Sequence, residues 1–218
     1  VICSLLITLV ALLSTGCDSK QGAQSKKAEQ TIKRAEAYLT QGQYRAAIIE
    51  SKNALKATPN SIPAINLAAK IKIELGQNTV AISLLEPHIN SKSNETKLLL
   101  ANAYRKKGKT RSALNILNAP FHGLTKSQQL SKAIFTFKSY LLQNRYSDAG
   151  DALKTIDSLS KEPIDKAEFE YLTAILLTKQ NSTKEAIQSA DRALSYNPKH
   201  IDAILLKASD AYNRNDLD

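Results

Sequence analysis

The chain has 218 residues, 43% hydrophobic and 23% charged, enough apolar side chain for a packed core and too much for a disordered chain. Thirty Lys and Arg against twenty Asp and Glu leave a net charge of +10, beside only seven Gly, six Pro and 6% aromatics. So few turn residues among Ala, Leu, Ile, Lys, Gln and Ser argue for an all-α chain.

A basic balance suits nucleic acid, anionic lipid or an acidic glycan. Here the Lys and Arg residues are scattered on helical segments beside Glu and Asp, mostly as solvated faces. No nucleic-acid module is recognisable, and aromatics are not interleaved with basic residues as single-strand stacking requires. Nucleic acid is therefore not an expected partner.

Residues 1–16, VICSLLITLVALLSTG, carry no charge. The apolar run from Val1 to Leu13 is too short for a comfortable transmembrane helix and has the length of a signal-peptide h-region. It lacks a charged n-region, the chain has no methionine, and Asp218 falls inside a repeating unit, so we expect a truncated signal segment and a longer natural chain. Leu13-Ser14-Thr15-Gly16-Cys17 resembles a bacterial lipobox, although Ser14 stands where that family prefers Leu. The resemblance implies cleavage before Cys17 and diacylation of its thiol. Multiple acyl chains would then anchor the chain to a membrane stably. The alternatives are an ordinary signal peptide with a chance cysteine, or a signal anchor. Cys3 lies in the segment to be removed, which leaves Cys17 no disulfide partner. Asp18 resembles the signal that retains enterobacterial-type lipoproteins in the inner membrane, which implies a periplasm-facing protein with the inner membrane favoured over the outer. Residues 18–27, DSKQGAQSKK, lack apolar periodicity and read, with Cys17, as a lipidated flexible tether.

From Ala28 the sequence repeats. The 34 residues AEQTIKRAEAYLTQGQYRAAIIESKNALKATPNS place Ala35, Ala47 and Ala54 where two helices pack closely. Gly42 ends the first helix, where a left-handed conformation is useful, and Pro59 stops the second. The pattern returns over about 62–93 with Ala69, Gly76 and Ala81, and over about 94–119 with Ala101, Tyr104, Gly108 and Ala113. A degenerate unit over about 130–163 has Phe137 for the small residue and Asn144 for the turn glycine, a swap that Asn tolerates. A fifth unit runs over 167–200 with Ala174, Asn181, Ala186, Ala193 and Pro198, and a sixth opens at Ile201 with Ala208 and Tyr212. The second unit is short near Pro87, and 119–129 lengthens the connection before the fourth. These phased positions resemble the tetratricopeptide repeat (TPR). The resemblance covers 28–218 and implies a right-handed helix-turn-helix solenoid of about five repeats plus the first helix of a sixth, each repeat stacking on its neighbours.

No chemistry is legible. His88, His122 and His200 lie far apart in the repeat frame, and no pair has metal-ligand spacing. There is no Gly-rich phosphate loop, GxSxG elbow or HExxH. Glu168 and Glu170, two residues apart on a helix, face different ways. No catalytic residue, metal or cofactor is expected, and the chain reads as a non-enzymatic scaffold.

The TPR resemblance implies a partner-binding concave groove lined by the first (A) helix of each unit. Carried onto this chain, the lining includes Glu36, Lys70, Asn102, Arg105, Lys106, Lys138, Tyr171, Lys179 and Tyr212. The middle of that groove is then basic and suits an acidic peptide or glycan beside protein partners. The stretch YRAAIIESKNALKATP (44–59) resembles the first repeat of TPR lipoproteins of the PEP-CTERM/exosortase system (PrsT type), which implies a role in exopolysaccharide production or surface protein sorting. Pilotin-type lipoproteins of pilus and secretin assembly share the layout and remain the alternative. A recruiting module for an enzyme whose catalytic domain lies beyond Asp218 is the third reading.

Overall fold

The computed structural model describes residues 26–213, so the expected signal segment 1–16, the lipidation site Cys17 and the sorting residue Asp18 lie outside the described residues. Those described form helices and connections, with no strand among them. A first helix, α1, covers residues 26–40. It is followed by α2 (Tyr44–Ala57), α3 (Ile62–Glu74), α4 (Asn78–Leu85), α5 (Asn94–Lys106), α6 (Thr110–Asn118), α7 (Lys126–Leu142), α8 (Tyr146–Leu159), α9 (Pro163–Lys179), α10 (Thr183–Tyr196) and α11 (Ile201–Asn213). A single 3-10 turn, Glu86–His88, follows α4. The odd-numbered helices are the A helices of the expected units, and the even-numbered α2, α4, α6, α8 and α10 the B helices.

The A helices α1, α3, α5, α7 and α9 stop for the same physical reason. Gly42, Gly76, Gly108, Asn144 and Asn181 take φ of 71°, 72°, 81°, 56° and 62°. The next residue's N–H then reaches the carbonyl five positions back: Gln43 to Tyr38, Gln77 to Lys72, Lys109 to Tyr104, Arg145 to Tyr140 and Ser182 to Leu177, all between 2.8 and 3.0 Å. This is the Schellman arrangement, and it satisfies carbonyls that the helix end leaves open. The Asn-for-Gly swap read at residue 144 is thus realised in the backbone, and Asn181 repeats it.

Helix starts differ from the sequence frame. The helix α7 begins at Lys126, inside the expected connection 119–129, because Thr125 and Gln128 form a capping box. Thr125 Oγ1 accepts the Gln128 N–H at 3.2 Å, and Gln128 Oε1 accepts the Thr125 N–H at 3.1 Å. The helix α9 begins at Pro163, a first-turn proline, ahead of the unit boundary at 167. Lys26 and Lys27, assigned above to the tether, are already helical. The B helices α2, α8 and α10 have 14 residues each, whereas α6 has nine. Pro120 holds Ala119 extended at φ −69°, ψ 158° and so ends α6 early.

Small residues let the helices approach. Ala47, Ala81, Ala113, Ala149 and Ala186, one per B helix, are at most 1% exposed. Phe137, fully buried in place of the usual alanine, sits among Ala133, Ala149 and Ala152, whose small size makes room for the ring. The chain divides into two compact units, one ending at Ala103 and one beginning at Tyr104. In the first, Ala35, Ala47, Leu67 and Ile71 form a core with Ile32, Tyr38 and Leu39 packed on it. There a buried polar link joins α3 to the start of α5: Thr96 Oγ1 donates to Asn66 Oδ1 at 2.9 Å, and Asn66 Nδ2 donates to Ser93 Oγ at 3.3 Å. In the second, Phe137, Leu153, Ile156, Leu172 and Leu176 form the core of α7, α8 and α9. Each such large side chain contributes roughly 1.5–3 kcal/mol on burial.

Candidate functional site

In the second unit, three successive A helices bring polar side chains together. Lys138 of α7 places Nζ 3.0 Å from Oε1 of Glu168 on α9. The other oxygen of Glu168 lies 3.3 Å from Nε2 of His200, the residue before α11. His200 Nδ1 accepts the Ala203 backbone N–H at 3.2 Å, so the ring caps the first turn of α11. That acceptor role leaves the proton on Nε2 and lets it donate to Glu168. Tyr171, one turn along α9 from Glu168, stacks at a tilt on the His200 ring with centroids 5.0 Å apart. Burial, with Asp202 and Glu168 adding negative charge nearby, pushes the Tyr171 hydroxyl pKa up to about 12.

The chain's own charges are therefore partly paired here. Lys138, expected to make this surface basic, is compensated by Glu168, and both are only about a quarter to a third exposed. Glu168 and His200 are the members that reading the sequence passed over. Glu168 stands at the second position of its repeat, a lining position, so the signal for it was present. His200 carried no such signal, since its place depends on the turn that starts α11. Glu170 turns the other way, and its Oε2 lies 2.9 Å from Arg192 Nε without hydrogen-bond alignment, a charge contact across to α10.

The other lining residues sit as follows. Glu36 and Lys70 are exposed in the first unit, where Asn102 is buried. In the second unit Arg105 is half-buried against the Phe135 ring, 5.9 Å from its centroid, and burial lowers its pKa. Lys106 and Lys179 are exposed at the turn ends of α5 and α9. Tyr212 is exposed on α11, as are Ile201, Ile204 and Leu205. No group of three or more His, Cys, Asp or Glu among the described residues is placed to hold a metal ion.

No protein-family model matches the chain, and no curated protein matches it. Solved structures do. A thermophilic TPR protein of Thermus thermophilus, TTC0263, is 21% identical with a TM-score of 0.69, over 84% of this chain and 97% of that one. YrrB, a TPR protein with an unusual peptide-binding site, is 15% identical with a TM-score of 0.51, over 85% and 98%. MamA is 18% identical with a TM-score of 0.52, over 79% and 92%. At such identities the likeness shows the fold: an all-α TPR solenoid, as the repeat register implied.

Proposed function

We propose that the chain is a lipid-anchored scaffold of the bacterial envelope that holds protein partners on its A-helix surface. The observation that carries the binding role is the junction of Lys138, Glu168, Tyr171 and His200. Two successive A helices and the residue that caps a third present half-buried charges, an imidazole and a phenol on one surface, which suits recognition of a polar peptide more than catalysis. YrrB, which shares the fold, has a peptide-binding site on it. Exposed Lys179, on the same helix as Glu168 and Tyr171, adds positive charge to this surface.

The anchoring role is supported by the lipobox-like residues up to Cys17. On this reading residues 1–16 are removed, residues 17–27 join the membrane to the repeats, and Asp18 favours the inner membrane facing the periplasm. No helix among the described residues is long and apolar enough to cross a membrane. The likeness of residues 44–59 to PrsT-type repeats supports a role in exopolysaccharide production or surface protein sorting.

In-cell crosslinking and affinity purification test this, with wild type beside Cys17→Ser and Lys138→Glu/Tyr171→Ala. Cys17→Ser is expected to leave the membrane fraction. The groove variant is expected to stay there and lose glycan-assembly or sorting proteins that wild type recovers. Recovery of a secretin instead would transfer the chain to pilus assembly. Membrane retention of Cys17→Ser would remove the lipid anchor from the reading.

A further inference from the structure

The strongest uncompensated charge in the second unit lies off the A-helix surface, at the turn between α5 and α6. Four of the six residues Lys106–Arg111 are cationic. Lys106, Lys107, Lys109 and Arg111 are exposed, and no ion pair among the described residues engages them. The fold does not ask for this charge. At the equivalent turns residues 40–45 carry one cation, Arg45, and residues 74–79 none, yet both make the same backbone bonds. Clustered like charge costs stability through self-repulsion, so its presence here calls for another cause.

Beside the turn lies a recess of about 880 Å³, lined among others by Lys109, Arg111, Asn115, Asn118, Gln143 and Arg145. No carboxylate lines it. Arg145 is already held by Asp148 at 2.8 Å, so Lys109 and Arg111 supply the free charge. Gln143 is tied to Thr110, its Nε2 donating to Oγ1 at 3.1 Å, whereas Asn115 and Asn118 are exposed.

We infer that this recess binds an acidic peptide segment, at a site separate from the A-helix surface proposed above. Three features choose among anions. A concave recess fits a chain better than the flat face of a bilayer. The carboxamides of Asn115 and Asn118 each donate and accept, which matches the paired N–H and C=O of a peptide backbone. The neighbouring rings that a sugar or a base would stack on are covered: Lys109 Nζ lies 5.8 Å from the Tyr104 centroid and the Arg145 guanidinium 4.5 Å from that of Tyr140.

The test uses the whole 218-residue chain and a fluorescent oligoglutamate peptide, with oligoalginate and phosphatidylglycerol vesicles as competing probes. Lys109→Glu/Arg111→Glu is compared with Lys52→Glu/Lys56→Glu on α2, which changes net charge equally, and circular dichroism confirms that both fold. We expect the first variant to weaken peptide binding about tenfold or more and the second to leave it within about twofold. Lys109→Ala/Arg111→Ala should give an intermediate loss. Equal losses in the two reversal variants, or no peptide binding by wild type, would overturn the site. Tighter binding of alginate or vesicles through Lys109 and Arg111 would overturn the peptide assignment. The groove variant Lys138→Glu/Tyr171→Ala should bind the peptide as wild type does, so failure of the groove and failure of the recess are separable.

Discussion

Tyr171 shows how one residue couples site and stability. Its hydroxyl ionises at a pKa pushed up to about 12, because the folded chain buries it beside Asp202 and Glu168. An unfolded tyrosine ionises near about 10. Between those values the unfolded chain loses the proton and the folded chain keeps it, so stability falls as pH rises. Tyr171's contribution is fully present below pH ~10 and is lost on the way to ~12. Urea midpoints measured across that range should fall more steeply for wild type than for Tyr171→Phe, after allowance for the other tyrosines. Parallel curves would mean that the hydroxyl is more open to water than its surroundings suggest.

The turn that ends each A helix is the element on which the repeat depends. At Gly76 there is open space for an added Cβ, so Gly76→Ala tests the backbone alone. An alanine held at φ +72° costs about 1–2 kcal/mol by steric conflict with the backbone. Asn144→Gly relieves the same conflict but removes the bond in which Tyr146 Oη donates to Asn144 Oδ1 at 3.0 Å. We expect Gly76→Ala to lower the melting temperature and Asn144→Gly to leave it nearly unchanged, as read by calorimetry. A neutral Gly76→Ala would show that this turn relaxes out of the left-handed region.

At the scale of the molecule, repeats contact mainly their neighbours, so damage should stay local. Thr96→Val removes the hydroxyl that donates to Asn66 Oδ1 and leaves a buried acceptor unmet, at a cost of about 1–3 kcal/mol. Hydrogen exchange should accelerate in α3 and the start of α5, with α9 and α10 of the other compact unit protected as in wild type. Uniform acceleration throughout would instead mean that the two units unfold as one.

Much of this was legible from spacing. The five turns, the buried alanines and the shortened second unit follow from residues that recur near a fixed interval, because each is demanded by backbone geometry or close helix approach within one unit. Helices begin at Lys126 and Pro163, ahead of the unit boundaries, since a capping box at Thr125 and a first-turn proline at 163 extend them beyond the repeat register. The lining positions also came from the register, yet not their charge state. Lys138 meets Glu168 thirty residues on, and Glu168 meets His200 a further thirty-two on. Lys138 and Glu168 belong to different repeats, and Glu168 and His200 to opposite ends of one, so their pairing is set by how the helices stack and not by local spacing. The sequence by itself therefore determined the repeat and its fold, which rest on short-range periodic constraints. Only the tertiary structure decided which charges cancel on the A helices and which remain open at the turn from Lys106 to Arg111, because charge compensation is a matter of distance in space.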